Sequence, residues 1–258
     1  MDSVKFLKIT LLLLWRVWFY VLMFASLLLF FPFLLIFSFK EKQYYLFWNF
    51  ARMLSKTLIY GMGFRLKFKA NQNIDSSKSY MYCLNHASFL DPFVLIALSK
   101  KPIVFVGKKE LSKIPIFGLL YRRTVIMVDR NSFKSRKEVY EIAKKRLQNG
   151  VSMAIFPEGL VPAEDIVLAP FKRGAFSLAI EFQIPIIPQV YYDCKRFFSW
   201  DFFKGRPGTL RVHQHDLIET RGMSIKQDID ALKNKTFNLL YNDLKNDKKY
   251  MKDTNRKK

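Results

Sequence analysis

The sequence is poor in cysteine, histidine and acidic residues, and each shortage excludes something. Only two cysteines occur, Cys83 and Cys194. They lie far apart and match no metal-ligand spacing, which excludes a disulfide framework and a cysteine-built zinc module and leaves reduced packing residues as the reading. The chain has no Gly-x-Ser-x-Gly elbow or other evident activated nucleophile, and no internal repeat at a fixed period that would signal a solenoid. Acidic residues number 21 against 43 basic ones, giving a net charge of +22 in 258 residues. That imbalance exceeds what solubility needs and points to an anionic partner, either nucleic acid or an anionic lipid surface.

What the chain has in abundance decides between the two. Leu11–Leu14 and Val17–Phe39 form an apolar, aromatic-rich stretch interrupted only by Arg16, and the second block is 23 residues without a charge. About 20 such residues cross a bilayer, and the stretch is too long for the apolar core of a cleaved signal peptide. A membrane is therefore the expected partner, and nucleic acid is not. Lys5 and Lys8 precede the stretch while Lys40, Lys42, Arg52 and Lys56 follow it, so flanking charge selects no single direction. Pro32 is expected to break or kink the helix. This predicts a membrane-embedded hairpin of two helices, roughly Val4–Phe31 and Phe39–Met62, with Tyr44, Tyr45, Phe47, Trp48 and Phe50 of the second at headgroup level.

Beyond residue 62 the texture changes to short apolar runs separated by basic and turn residues, the pattern of alternating strands and helices. Strands are expected at Phe64–Ala70, Ser79–Leu84, Ile103–Val106, Val125–Val128, Val151–Phe156, Ile186–Tyr191 and Leu210–His215. Helices are expected at Pro92–Leu98, Ser135–Gln148, Gly174–Phe182 and Ser224–Leu244. The length suits one α/β domain plus an accessory segment. The boundaries read as 1–62 for the membrane-associated helices, 63–244 for the α/β domain and 245–258 for a frayed basic tail.

The segment Tyr82-Cys-Leu-Asn-His-Ala-Ser-Phe-Leu-Asp-Pro92 carries the chemistry. It puts His86 just past an apolar strand and Asp91 five residues later, at a helix start. An imidazole held on one ring nitrogen by a carboxylate can accept a proton on the other. On spacing alone, Asp91 as a helix cap beside a structural histidine is the favoured reading. His213-Gln-His215 puts two rings on one strand face, but Asp216 points to the other face and no third ligand is evident, so no metal is assigned.

Four blocks then resolve the reading of His86: Asn85-His86 with Asp91; Gly107-Lys-Lys-Glu-Leu111 with Ile114-Pro-Ile-Phe-Gly118 and Val128-Asp-Arg130; Phe156-Pro-Glu-Gly159; and Ile184-Pro-Ile-Ile-Pro188. In this order and spacing the chain resembles the lysophospholipid and glycerolipid acyltransferase family, in particular the bacterial 1-acylglycerol-3-phosphate acyltransferases, over roughly Trp48 to Pro188. The resemblance implies a single mixed-sheet α/β acyltransferase domain with His86 as general base and Asp91 as its partner. It also implies an acyl thioester donor, acyl-coenzyme A or acyl-carrier protein, as co-substrate with no cofactor, a lysophospholipid acceptor, and a catalytic domain on the cytoplasmic face of the membrane. Phosphate recognition needs cationic donors, so Arg130, Lys108, Lys109, Lys172 and Arg173 are candidates, with Asn85, Glu158 and Gly159 lining the acceptor site. The family commonly continues the third block with Thr-Arg, whereas this chain has Leu160-Val161, which shifts phosphate binding to the other cations or points to a different acceptor.

Overall fold

The computed structural model describes residues 3–115, 117–128 and 133–254. Among them, one mixed seven-stranded sheet supports the site. Its strands are β1 (Arg65–Ala70), β2 (Met81–Leu84), β3 (Ile103–Lys108), β4 (Val125–Val128), β5 (Ser152–Ile155), β6 (Ile186–Tyr191) and β7 (Thr209–Gln214). They lie in the order β1-β7-β6-β2-β5-β3-β4, and every neighbouring pair is parallel except β6 with β7.

The central strands are apolar on both faces, as parallel strands covered on each side must be. Along β2, Met81 and Cys83 enter one core cluster while Tyr82 and Leu84 enter the other; β6 splits in the same way into Ile186 and Val190 against Ile187 and Tyr191. The first face is covered by α6 (Gly174–Glu181) and α8 (Ile225–Asn246), through Phe176, Ile180, Ile229, Leu232 and Leu240. The second is covered by α3 (Asp91–Leu98) and part of α2 (Tyr44–Gly61), through Val94, Leu95, Trp48 and Ile59. Burying side chains of this size contributes about 1.5–3 kcal/mol each. The remaining helices are α4 (Phe117–Thr124), α5 (Phe133–Gln148), α7 (Cys194–Phe197) and α9 (Lys248–Thr254). Ser224 is the N-cap of α8, its Oγ accepting from Gln227 N at 3.4 Å, while Asp228 returns a carboxylate to Ser224 N at 2.7 Å. This reciprocal pair fixes the start of the helix.

The N-terminus departs from the expected hairpin. Helix α1 runs unbroken from Ser3 to Phe37 through Pro32. Stacking of Phe33 and Phe37 on Phe50, at 4.7 and 5.5 Å, holds the turn that follows the proline and overrides its tendency to end the helix. The second helix begins at Tyr44 and belongs to the domain: Tyr44, Phe47 and Trp48 are buried, and Trp48 Nε1 donates to Ser99 O at 3.1 Å. The predicted membrane-embedded hairpin is thus one long apolar helix followed by a helix of the α/β core.

One side of α1 is fastened to the domain. Arg16 is buried; its guanidinium donates to Ser199 O and Asp201 O at 2.9 Å each, and to Lys204 O, and lies 4.4 Å over the Phe198 ring. The other side exposes Leu11, Leu14, Val17, Val21, Phe24 and Leu28, an apolar surface larger than water-exposed helices ordinarily carry and one suited to lipid. By length and composition, Lys5–Phe37 is able to cross a membrane.

The C-terminus also departs from expectation. The segment read as a frayed tail forms α9, in which Tyr250 is buried with its hydroxyl donating to Val167 O at 2.8 Å. Asp247 anchors the preceding turn by accepting from Arg211 Nη1 at 2.6 Å. One aromatic and one carboxylate are enough to dock a segment whose composition alone reads as solvated.

Candidate active site

The carboxyl ends of β2, β5 and β6 lie side by side at one edge of the sheet, where open α/β sheets place functional groups. β2 delivers Asn85 and His86, the turn after β5 delivers Glu158 and Gly159, and β6 ends at Tyr191. Asn85 clips two of these strand ends together, with Nδ2 donating to Tyr191 O at 3.1 Å and Oδ1 accepting from Tyr191 N at 2.7 Å.

Asp91 is fully buried and does not cap α3. Its Oδ2 instead faces backwards, accepting from Ala87 N at 2.5 Å and Ser88 N at 2.8 Å, and lies 2.8 Å from His86 Nδ1. Two backbone donors keep the carboxylate in place, and a proton on Nδ1 leaves Nε2 as the basic nitrogen. Phe156 stacks on the imidazole at 4.2 Å and 19°, fixing the ring plane. The ring keeps 21 % of its surface accessible, enough for a substrate to reach it. Ser88 serves the turn: its Oγ donates to Phe198 O at 2.6 Å and accepts from Leu90 N at 3.2 Å.

Glu158 is buried and braces the same loop. Its Oε1 accepts from His86 N at 2.6 Å and its Oε2 from Ala169 N at 2.8 Å. Burial pushes this carboxyl up to about 7, while the two backbone bonds and the His86 charge pull it the other way. Gly159 follows with φ of 73°, a left-handed conformation that a side chain resists.

The candidate cations do not converge as a group. Lys108 and Lys109 are exposed at and just beyond the end of β3, and Lys172 is exposed with its backbone N–H on Pro157 O at 2.8 Å. Arg173, expected at the acceptor site, instead pairs with Asp230 of α8 at the surface. Its carboxylate partner could not be placed beside it from the sequence. Arg130 lies outside the described residues.

The sequence reading passed over Lys195. It follows the end of β6, and its Nζ donates to Ala163 O at 2.7 Å and Ile166 O at 2.9 Å, pinning the loop after Gly159. Burial lowers its ammonium to about 8 while Glu158 and Asp165 hold it up. Its position after a strand running to the active edge was the available signal. The exposed aromatics Phe89 and Trp200 form an apolar rim nearby, with Phe89 5.9 Å from Phe19 of α1 and 6.2 Å from Trp200. At the other side of the sheet, Asp243 of α8 joins His213 and His215, supplying the third group that the sequence did not reveal.

A family model described as Acyltransferase matches residues 65–192. A 1-acyl-sn-glycerol-3-phosphate acyltransferase of Cocos nucifera is 31% identical over 147 residues, which is 56% of this chain and 47% of that protein. The beta form of Homo sapiens is 27% identical over 67% of this chain and 62% of its own length. The protein of the same description from Borreliella burgdorferi is 27% identical over 67% of this chain and 69% of its own. The chain thus aligns with between about half and two thirds of these relatives' length. The crystal structure of the 1-acyl-sn-glycerophosphate acyltransferase PlsC from Thermotoga maritima superposes with a TM-score of 0.76, covering 93% of this chain and 98% of that one at 20% identity, a likeness of fold.

Proposed function

This chain belongs to the acyltransferase family, and from that premise we propose that it transfers a fatty acyl group from an acyl thioester to the free hydroxyl of 1-acylglycerol 3-phosphate, giving phosphatidic acid. The observation that carries the proposal is the buried Asp91 carboxylate 2.8 Å from Nδ1 of an accessible His86.

The chemistry follows from that pair. His86 Nε2 takes the proton of the acceptor hydroxyl as its oxygen attacks the thioester carbonyl, and Asp91 stabilises the imidazolium that forms. Collapse of the tetrahedral intermediate breaks the C–S bond, and the imidazolium returns the proton to the departing thiolate of coenzyme A or acyl-carrier protein. No acyl-enzyme is required. Glu158 holds the His86 backbone and shapes the turn at Gly159 against which the glycerol part of the acceptor rests.

The exposed face of α1 and the rim of Phe89 and Trp200 suit a site fed from the membrane. Contacts of α1 with the domain span Trp15 to Leu34, so the helix and the catalytic edge are presented to lipid together. The domain is placed on the cytoplasmic face, where thioester donors are made, and its positive charge attracts both anionic lipid and an acidic carrier.

A second reading is favoured by Leu160, which is 49% exposed where the family commonly has the threonine of Thr-Arg: the acceptor is another lysolipid. An acceptor panel with one acyl donor separates the two. Turnover highest with lysophosphatidate supports the first, and turnover confined to other lysolipids replaces it with the second.

A further inference from the structure

His213 lies near the end of β7 and His215 just past it, and the two rings have centroids 4.2 Å apart. This cluster is separated from β2 by β6 and takes no part in the acyl-transfer geometry. We propose that His213, His215 and Asp243 form a binding site for a divalent transition-metal cation of the zinc class, which clamps α8 to β7.

The hydrogen-bond inventory carries this assignment. Asp243 Oδ2 lies 2.8 Å from His213 Nδ1 and 2.7 Å from His215 Nε2, so two ring nitrogens converge on one carboxylate oxygen. The far side of His213 is fixed: its Nε2 lies 2.9 Å from Asn71 Oδ1, while Asn71 Nδ2 donates to Asp216 Oδ2 at 3.3 Å. Asn71 therefore presents an acceptor to His213, which places one ring proton on Nε2, and in the neutral ring the Nδ1 lone pair then faces Asp243. Tyr192 Oη donates its single proton to Asp243 Oδ1 at 2.7 Å and so does not supply one to Nδ1. A ring nitrogen and a carboxylate oxygen at this distance need positive charge between them, from a second ring proton or from a metal ion. A metal ion provides it with both imidazoles neutral, and the Asn71 hydrogen bond is the orienting contact that ligand histidines ordinarily have.

The donor set selects the class of ion. Two imidazole nitrogens and one carboxylate oxygen suit zinc and its first-row neighbours, whereas calcium and magnesium take oxygen ligands. Tetrahedral coordination at about 2.1 Å per bond separates ligand atoms by about 3.4 Å. The nitrogens must therefore withdraw from Oδ2 by about 0.6–0.7 Å, a shift open to side chains that retain 15%, 10% and 21% exposure. That exposure also gives an ion access and leaves room for water as a fourth ligand. Nearby Arg211 does not compete for Asp243, because Asp193 and Asp247 already hold its guanidinium.

The test is a titration of the tag-free full chain, in detergent and stripped with chelator, with Co²⁺. The expected result is one bound equivalent with visible d–d absorption, displaced by Zn²⁺, and a raised melting temperature. Asp243→Asn and His213→Ala lose the band, while His86→Ala retains it. A wild-type protein with neither band nor melting shift overturns the proposal whatever the variants do. Binding that survives both Asp243→Asn and His213→Ala overturns it as well.

Discussion

Asp91 Oδ2 accepts from the backbone of Ala87 and Ser88 while lying 2.8 Å from His86 Nδ1. The carboxylate that orients the imidazole is thus itself oriented by the loop that carries the imidazole. Asp91→Asn keeps the shape but removes the charge that stabilises an imidazolium. We expect kcat to fall by roughly 10²–10⁴-fold with a small change in KM, measured as acyl transfer to lysophosphatidate in detergent micelles. A KM effect alone would assign Asp91 to binding.

Glu158 gives a pH signature. Its folded value is raised to about 7 from 4.5, so the folded state keeps this proton longer than the unfolded chain does. Its contribution to stability is therefore greatest below about 4.5, declines as pH rises, and levels off above about 7. The full change is on the order of 3 kcal/mol. Denaturant unfolding across this window, with Glu158→Ala as reference, should show wild-type stability falling relative to the variant. A difference that rises with pH contradicts the assignment.

Lys195 and Arg173 are expected to behave oppositely. Lys195 is pinned beside the Gly159 turn and electrostatically coupled to Glu158. Lys195→Met should raise the KM for a phosphate-bearing acceptor about tenfold, near 1.4 kcal/mol of binding. Arg173 is engaged with Asp230 at the surface, and Arg173→Ala should leave KM unchanged. Steady-state kinetics on both variants decides the point.

Arg16 is the buried charge that fastens a mostly apolar helix to the 199–204 loop. Its replacement by Met leaves the carbonyls of Ser199, Asp201 and Lys204 without their donor, and buried acceptors without a partner cost about 1–3 kcal/mol each. Thermal melting should drop, and the 199–204 loop should become the first site of proteolysis. Replacing the exposed Phe24, Leu28 and Leu29 by Ser should do the reverse, weakening vesicle binding while sparing the melting temperature in detergent.

The sequence disclosed most where a feature is local. His86 and Asp91 are five residues apart at a strand end, and the short apolar runs between basic and turn residues predicted the strands to within a few residues. Glu158 was visible for the same reason, as a carboxylate after a short apolar strand. What escaped depends on distant partners. Pro32 carries a local helix-breaking tendency that aromatic stacking on Phe50 overrides, Arg173 meets an aspartate 57 positions later, and Asp243 reaches the histidine pair from 30 positions beyond His213. Tyr250 and Asp247 dock a segment whose composition reads as solvated, because burial of one ring is not a compositional property.

The most direct measurement is acyl transfer by His86→Ala, assayed with lysophosphatidate and an acyl thioester, on protein whose melting temperature matches the parent. The account predicts that turnover disappears while the fold and vesicle binding persist. Near-normal turnover in that variant contradicts it.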